Sequence, residues 1–234
     1  YNLTSFEIMI TTAIKYFISN NVDLIILEVG LGGRLDATTA YPHRSIFAIG
    51  PIGLDHCEYL GDSLTKITRE KGAIITKNSI IITAKQHPEV EKILKEIAVK
   101  QTSQIKWVNR LGEDWTLGLE GDFQRENAAV AKGALEALNY LGWNIEKNDI
   151  IEGFKKAYWP GRLQKVFWRK KMLIIDGAHN PHAAKKLAKE RKSWSKEGLG
   201  IKWILSIQKN KDAPKILNYL IKSNDIAWIV PLPD

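Results

Sequence analysis

Apolar residues recur at helical spacing from Phe6 through Met9, Ile10, Ala13 and Ile14 to Phe17, and Thr4 with Glu7 forms a capping box ahead of them. The pattern predicts a first helix and gives Glu7 a capping duty. Short apolar runs follow at 23–29, 45–49, 79–83 and 105–108, with helix-like patterns at 64–75 and 88–100 between them. Strands alternating with amphipathic helices predict a mostly parallel sheet covered by helices. A further strand is expected at 115–119. Helices are expected at 124–141, where Ala128, Ala131, Leu135 and Leu138 share a face, and at 148–157.

Tyr158-Trp159-Pro160-Gly161-Arg162 breaks this alternation. It restarts with a strand at 172–176, a helix from Pro181, a strand at 202–207, a helix from Pro214 and a strand at 226–230. The break places a domain boundary at about Pro160 and divides the chain into domains 1–159 and 160–234. The expected class is α/β, a mostly parallel sheet with helices on both faces followed by a second α/β unit.

At 234 residues the chain suits one large or two small domains, and its 44% hydrophobic content can bury a sizeable core. The formal charge of +8 would suit an anionic ligand or nucleic acid. The lysines are scattered, however, and no nucleic-acid motif accompanies them, so no nucleic-acid partner is expected. A single cysteine, Cys57, excludes an internal disulfide and agrees with a reducing cytoplasm. No apolar run reaches the roughly 18 residues of a membrane span, so no membrane association is expected. Both ends of the chain, at Tyr1 and at Pro231-Leu232-Pro233-Asp234, read as cut within a fold.

Candidate chemistry gathers at strand ends. Glu28-Val29-Gly30-Leu31-Gly32-Gly33-Arg34-Leu35-Asp36 follows the apolar run 22–27 and brings two carboxylates, three glycines and an arginine to one loop. In an open α/β sheet, ligands bind beyond the strand carboxyl ends. Two readings stand: a ligand loop with Arg34 facing an anion, or a tight turn with Glu28 and Arg34 as a solvated pair. Asp55-His56, after the run 45–49, opens on the same edge and could converge with Glu28 on a metal; otherwise it is a turn residue beside a surface histidine. Lys71, in a helical last turn, either complements the macrodipole or faces a ligand. Gln124 and Asn127 share the N-terminal face of their helix, where amides could meet a base or phosphate, or serve as a polar first turn. Arg162 lies in the break. Asp176 ends an apolar strand and could accept ribose hydroxyls, while Asn180 and Pro181 are explained as a helix cap and first residue.

Taken in chain order, the blocks at 28–38, 52–56, 70–71, 124–128, 160–162 and 176–181 resemble the folylpolyglutamate synthase/dihydrofolate synthase family of the Mur ligase superfamily. The similarity covers nearly the whole chain. It implies a Mur-ligase-like central ATPase domain and a partial Rossmann-like C-terminal domain. It also implies a cytoplasmic, monomeric ligase that joins L-glutamate to folate or dihydropteroate, using ATP and Mg²⁺ through an acyl phosphate. By the same resemblance Glu28 and His56 hold Mg²⁺, and Lys71, carbamylated, supplies a further carboxylate to one or a second ion. Gln124, Asn127, Arg162 and Asp176 contact ATP, and His179 lies beside the nucleotide as a catalytic group.

Nothing in the chain matches Gly-x-x-x-x-Gly-Lys-Ser/Thr, the phosphate-cradling loop that this family carries. The chain is therefore expected to be an interior fragment that lacks this loop and part of the C-terminal domain, and to turn over no substrate alone. Two other readings compete: a Mur-type ligase of another substrate class, and a non-catalytic nucleotide-binding protein if Tyr1 is the true start.

Overall fold

The computed structural model describes residues 2–41, 43–194 and 199–231. They group into two compact units, Tyr1–Asn109 with Val130–Asn144, and Arg110–Ala129 with Ile145–Asp234. The first opens with helix α1 (Ser5–Ser19), whose capping box is present: the Thr4 hydroxyl accepts from the Glu7 amide and Glu7 Oε2 accepts from the Thr4 amide. A 3₁₀ turn (Ala37–Ala40) then leads into β1 (Ile46–Ile49), α2 (Cys57–Leu60), α3 (Leu64–Gly72), β2 (Ile80–Ala84), α4 (Pro88–Lys100) and β3 (Gln104–Val108).

The three strands form a parallel sheet in the order β1-β2-β3. Side chains alternate across β2, so Ile81 joins Phe47, Ile67, Val90 and Leu94 on one face under α3 and α4. Ile82 and Ala84 point the other way, onto Val130 and Ala137 of helix α5 (Phe123–Tyr140). Gly133 lets that helix lie close, because a Cβ there would stand 2.6 Å from Ile82 Cγ2. Ile81, Ile82 and Leu94 are fully buried, and each stabilises the fold by about 1.5–3 kcal/mol relative to exposure.

The second unit contains α6 (Lys147–Lys156), β4 (Gln164–Trp168), β5 (Lys171–Ile175), α7 (Pro181–Lys189), α8 (Arg191–Trp194), β6 (Lys202–Leu205), α9 (Ala213–Leu220) and β7 (Ile226–Ile229). β6 and β7 are parallel, whereas β4 and β5 form an antiparallel hairpin. Leu163, Ala184, Leu187, Trp203, Ile216 and Leu220 make its core. Beneath them Asp225, whose side chain is wholly buried, receives both arms of the Arg191 guanidinium at 2.7 and 2.9 Å, the amides of Ile201 and Lys222, and Trp203 Nε1. The Arg191 fork holds the Asp225 carboxyl well below the usual carboxylate range, against the effect of burial.

Three expectations are corrected, and one strand is added. The run 23–29 is not a strand: no described strand pairs with it, and Ile26 is 85% exposed. Apolar character favours a strand but cannot supply the ladder partner that defines one. Residues 115–119 are irregular and bent, with no strand pairing among the described residues; Trp115 packs against Phe154 at a tilt, ring centroids 5.8 Å apart, and the Gly118 amide donates to Phe154 O. The helix expected over 64–75 ends at Gly72, and Ile75 turns into the core. Finally, 164–168 is a strand that the pattern did not announce. Its hairpin turn is made by Arg169 and Lys170, both at positive φ (46° and 62°), where Gly or Asn is the usual signal.

Candidate functional site

In the first unit the Glu28–Asp36 loop is organised by its own second carboxylate. Asp36 is 8% exposed, its Oδ2 accepts from the Gly30 and Leu31 amides at 2.9 and 3.0 Å, and its Oδ1 accepts from the Thr38 amide and hydroxyl at 3.0 and 2.6 Å. Burial pushes the Asp36 carboxyl up, but the bonds from Thr38, Leu31 and Gly30 outweigh it and hold its pKa below the ordinary value. Asp36 is thus a structural anchor for the loop, a duty the motif alone did not assign. The Asp-x-Thr pattern of a side-chain-capped turn was the signal available for it.

The loop is seated on the C-terminal end of α3. The Arg34 amide donates to Glu70 O at 3.1 Å, and Arg34 Nε lies 2.9 Å from Glu70 Oε1. A Cβ on Gly33 would stand 2.7 Å from Glu70 O and 3.1 Å from Lys71 O, so glycine is what permits this approach. A Cβ on Gly32, which has φ +67°, would likewise meet Leu60 of α2 at 2.7 Å. Arg34 therefore pairs with Glu70 rather than with Glu28. Glu28 is exposed, Lys71 is half-buried on the last turn of α3, and neither side chain has a hydrogen-bond or ion-pair partner among the described residues.

His56 precedes α2 in the left-handed region (φ 51°, ψ 40°), an uncommon conformation for a non-glycine residue. Its amide donates to Asp55 Oδ1 at 2.9 Å, and Asp55 Oδ2 lies 3.8 Å from its Nε2. The structure thus brings the Gly30–Asp36 loop, α2 and the end of α3 together. The exposed Glu28 carboxylate and the half-buried His56 imidazole with its adjacent aspartate offer oxygen and nitrogen ligands to a cation, whereas the Lys71 ammonium has no lone pair and would ligate only as a carbamate.

In the second unit the loops before β4 and after β5 are tied to each other. Asp176 Oδ2 accepts from the Leu163 amide at 2.9 Å and its Oδ1 from the Ala178 amide at 2.8 Å, while the Gly177 amide donates to Gly161 O at 2.8 Å. Leu163 is buried at a positive φ of 48°. Arg162, between these fixed points, is exposed and has no ion pair among the described residues. His179 is exposed, with Nδ1 3.0 Å from Gly177 O. Asn180 caps α7 by accepting from the Ala183 amide, and Pro181 takes the first helical position, as expected.

The first turn of α5 joins the same cluster, since a Cβ on Gly121 would touch Leu163 and Phe123 packs on this unit's core. Gln124 is 4% exposed, and its Oε1 accepts from Asn127 Nδ2 at 2.8 Å. Its Nε2 is buried with no hydrogen-bond partner. A buried donor left unmatched costs about 1–3 kcal/mol. It therefore fits a ligand that brings an acceptor, such as a ring nitrogen of a nucleotide base.

The fold and these two clusters define an α/β protein with a Mur-ligase-like architecture. The family described as the dihydrofolate synthetase C-terminal domain matches residues 162–231. Dihydrofolate synthetase of Saccharomyces cerevisiae is 32% identical over 95% of this chain and 58% of its own length. Dihydrofolate synthase/folylpolyglutamate synthase of Escherichia coli is 31% identical over 99% of this chain and 56% of its own length. A folylpolyglutamate synthase solved with AMPPCP and folate superposes with a TM-score of 0.90 at 25% identity, over 100% of this chain and 62% of that one. Along almost its whole length the chain is similar to members of the folylpolyglutamate synthase/dihydrofolate synthase family. It spans somewhat more than half the length of the curated relatives it matches.

Proposed function

We propose that the protein is an ATP- and Mg²⁺-dependent carbon–nitrogen ligase that adds L-glutamate to tetrahydrofolate, dihydropteroate or both, through an acyl phosphate. The observation that carries this reading is identity of 31–32% along almost the whole chain to proteins named for these two activities. The solved relative that holds AMPPCP, an ATP analogue, and folate supports the substrates.

Glu28, His56 and Lys71, the last as its carbamate, are the residues that would hold Mg²⁺. The ion's chemistry is to neutralise charge on the transferring phosphoryl oxygens. Gln124 Nε2 and Asn127 recognise the base. Arg162 offers a planar fork to phosphate oxygens. Each Asp176 oxygen accepts one backbone amide and keeps a second lone pair, which leaves both able to take a ribose hydroxyl. His179, held through Nδ1, presents its other nitrogen beside the nucleotide. The working division is a ligase domain through residue 159 and a glutamate-ligase domain from 160, in a cytoplasmic monomer; the single Cys57 accords with a reducing compartment.

Replacing Glu28 by Gln keeps the shape and removes the anion. For the full-length protein this variant should raise the Mg²⁺ concentration needed for half-maximal glutamate-dependent ADP release by about tenfold or more, with little change in thermal stability. Unchanged turnover at limiting Mg²⁺ would refute the ligand role.

A further inference from the structure

Gln86 lies two residues beyond the end of β2 and is only 6% exposed. Both ends of its carboxamide are engaged. Oε1 accepts from the Ile52 amide at 2.8 Å, while Nε2 donates to Gly50 O at 2.8 Å and to Thr83 Oγ1 at 2.9 Å. The Thr83 hydroxyl in turn donates to Ile49 O at 2.8 Å. The β1–β2 ladder ends at the pair Ile49–Thr83, so Gly50 O and Ile52 N–H have left the sheet with no strand to meet them. A glutamine side chain carries the donor and acceptor of a peptide unit. Gln86 therefore extends the ladder by one rung, around Pro51, which has no N–H of its own.

That rung anchors the loop that delivers His56. The segment is fixed upstream at Ile52 and downstream at Leu60, each 7% exposed, and Leu60 is the residue that faces Gly32 of the Glu28 loop. Between the two anchors His56 is held at positive φ, a conformation that persists only where the surroundings over-determine it. We infer that Gln86 is a positioning residue for the cation site, setting the placement of the His56 imidazole relative to the Glu28 loop. The inference rests on the reading of Glu28 and His56 as cation ligands.

The test uses the full-length protein, with Mn²⁺ binding followed by electron paramagnetic resonance at saturating ADP, and amide hydrogen exchange at Ile52 as a separate probe of the loop. His56→Ala should abolish the bound Mn²⁺ signal. Gln86→Leu, similar in size but without the amide, should weaken Mn²⁺ by about tenfold, the loss typical of residues supporting a metal ligand, and leave metal-free ADP affinity unchanged. Gln86→Glu, which still offers an acceptor to the Ile52 amide, should give a smaller loss and covers the case in which Gln86→Leu does not fold. If both variants bind Mn²⁺ as tightly as the parent while the Ile52 amide in Gln86→Leu exchanges freely, the positioning role is overturned. If His56→Ala leaves Mn²⁺ binding intact, the underlying ligand reading fails, and this inference with it.

Discussion

Substituting Asp36 tests whether the glycine loop is held by its own carboxylate. Asp36→Ala removes four hydrogen bonds at once, two from Gly30 and Leu31 and two from Thr38. Loss of the cap on the 3₁₀ turn costs about 0.5–2 kcal/mol. Leaving the Gly30 and Leu31 amides without their acceptor adds about 1–3 kcal/mol, less where water reaches them. Asp36→Asn separates the two parts. One asparagine oxygen can still cap Thr38, but its NH₂ then faces the Gly30 and Leu31 amides, so the cap survives and the loop bridge does not. Amide hydrogen exchange resolved at Gly30, Leu31 and Thr38 reads each part directly. In Asp36→Ala all three amides should lose protection, by about tenfold for each 1.4 kcal/mol; in Asp36→Asn only Gly30 and Leu31 should. Unchanged protection at Gly30 and Leu31 in the alanine variant would show that the seat on Glu70 and Lys71 holds the loop unaided.

Gln124→Leu should separate stability from nucleotide recognition. Removing a buried, unmatched donor leaves the unfolding midpoint equal or higher, while ADP affinity falls measurably by calorimetry; a variant that is both less stable and equally able to bind ADP would contradict the assignment. Asp225→Ala should destabilise the second unit by about 1–3 kcal/mol in urea titration, because it takes the carboxylate from the half-buried Arg191 guanidinium and the acceptor from the Ile201 and Lys222 amides and the Trp203 indole. The same pair sets an acid dependence. The folded Asp225 carboxyl is depressed, so its stabilisation is complete above the unfolded carboxylate pKa of about 3.9 and is lost as pH falls toward the lower folded value. Thermal midpoints between pH 5 and pH 2 should therefore fall more steeply in the parent than in Asp225→Asn.

The parallel sheet of the first unit was readable because each strand is a short apolar run between capped amphipathic helices; Pro88–Lys100, with its proline start, matches the expected helix end to end. The 23–29 run is not the strand its pattern suggests, and the 164–168 strand carries no signal, for opposite reasons. The first has a strand's composition but no described partner, and the second has its partner but hides the turn in Arg169-Lys170. At the site, residue types and spacing located the loops, and the helix cap at Asn180 followed from local chemistry. The Asp36 cap on Thr38 is equally local, but its hold on Gly30 and Leu31 and the duties of Asp176 and Gln86 depend on which backbone amides the fold brings to a carboxylate or carboxamide. Arg34 illustrates the same limit: its nearest carboxylate in sequence is Glu28, but the fold gives it Glu70.

The central claim is glutamate ligation driven by ATP. The most direct measurement is mass spectrometry of tetrahydrofolate and dihydropteroate incubated with the full-length protein, ATP, Mg²⁺ and L-glutamate, with ADP followed in parallel. At least one of the two should gain a glutamyl residue, with one ADP formed per residue added and none when glutamate is omitted. ADP release without a glutamylated product, or glutamylation that proceeds without ATP, would contradict it.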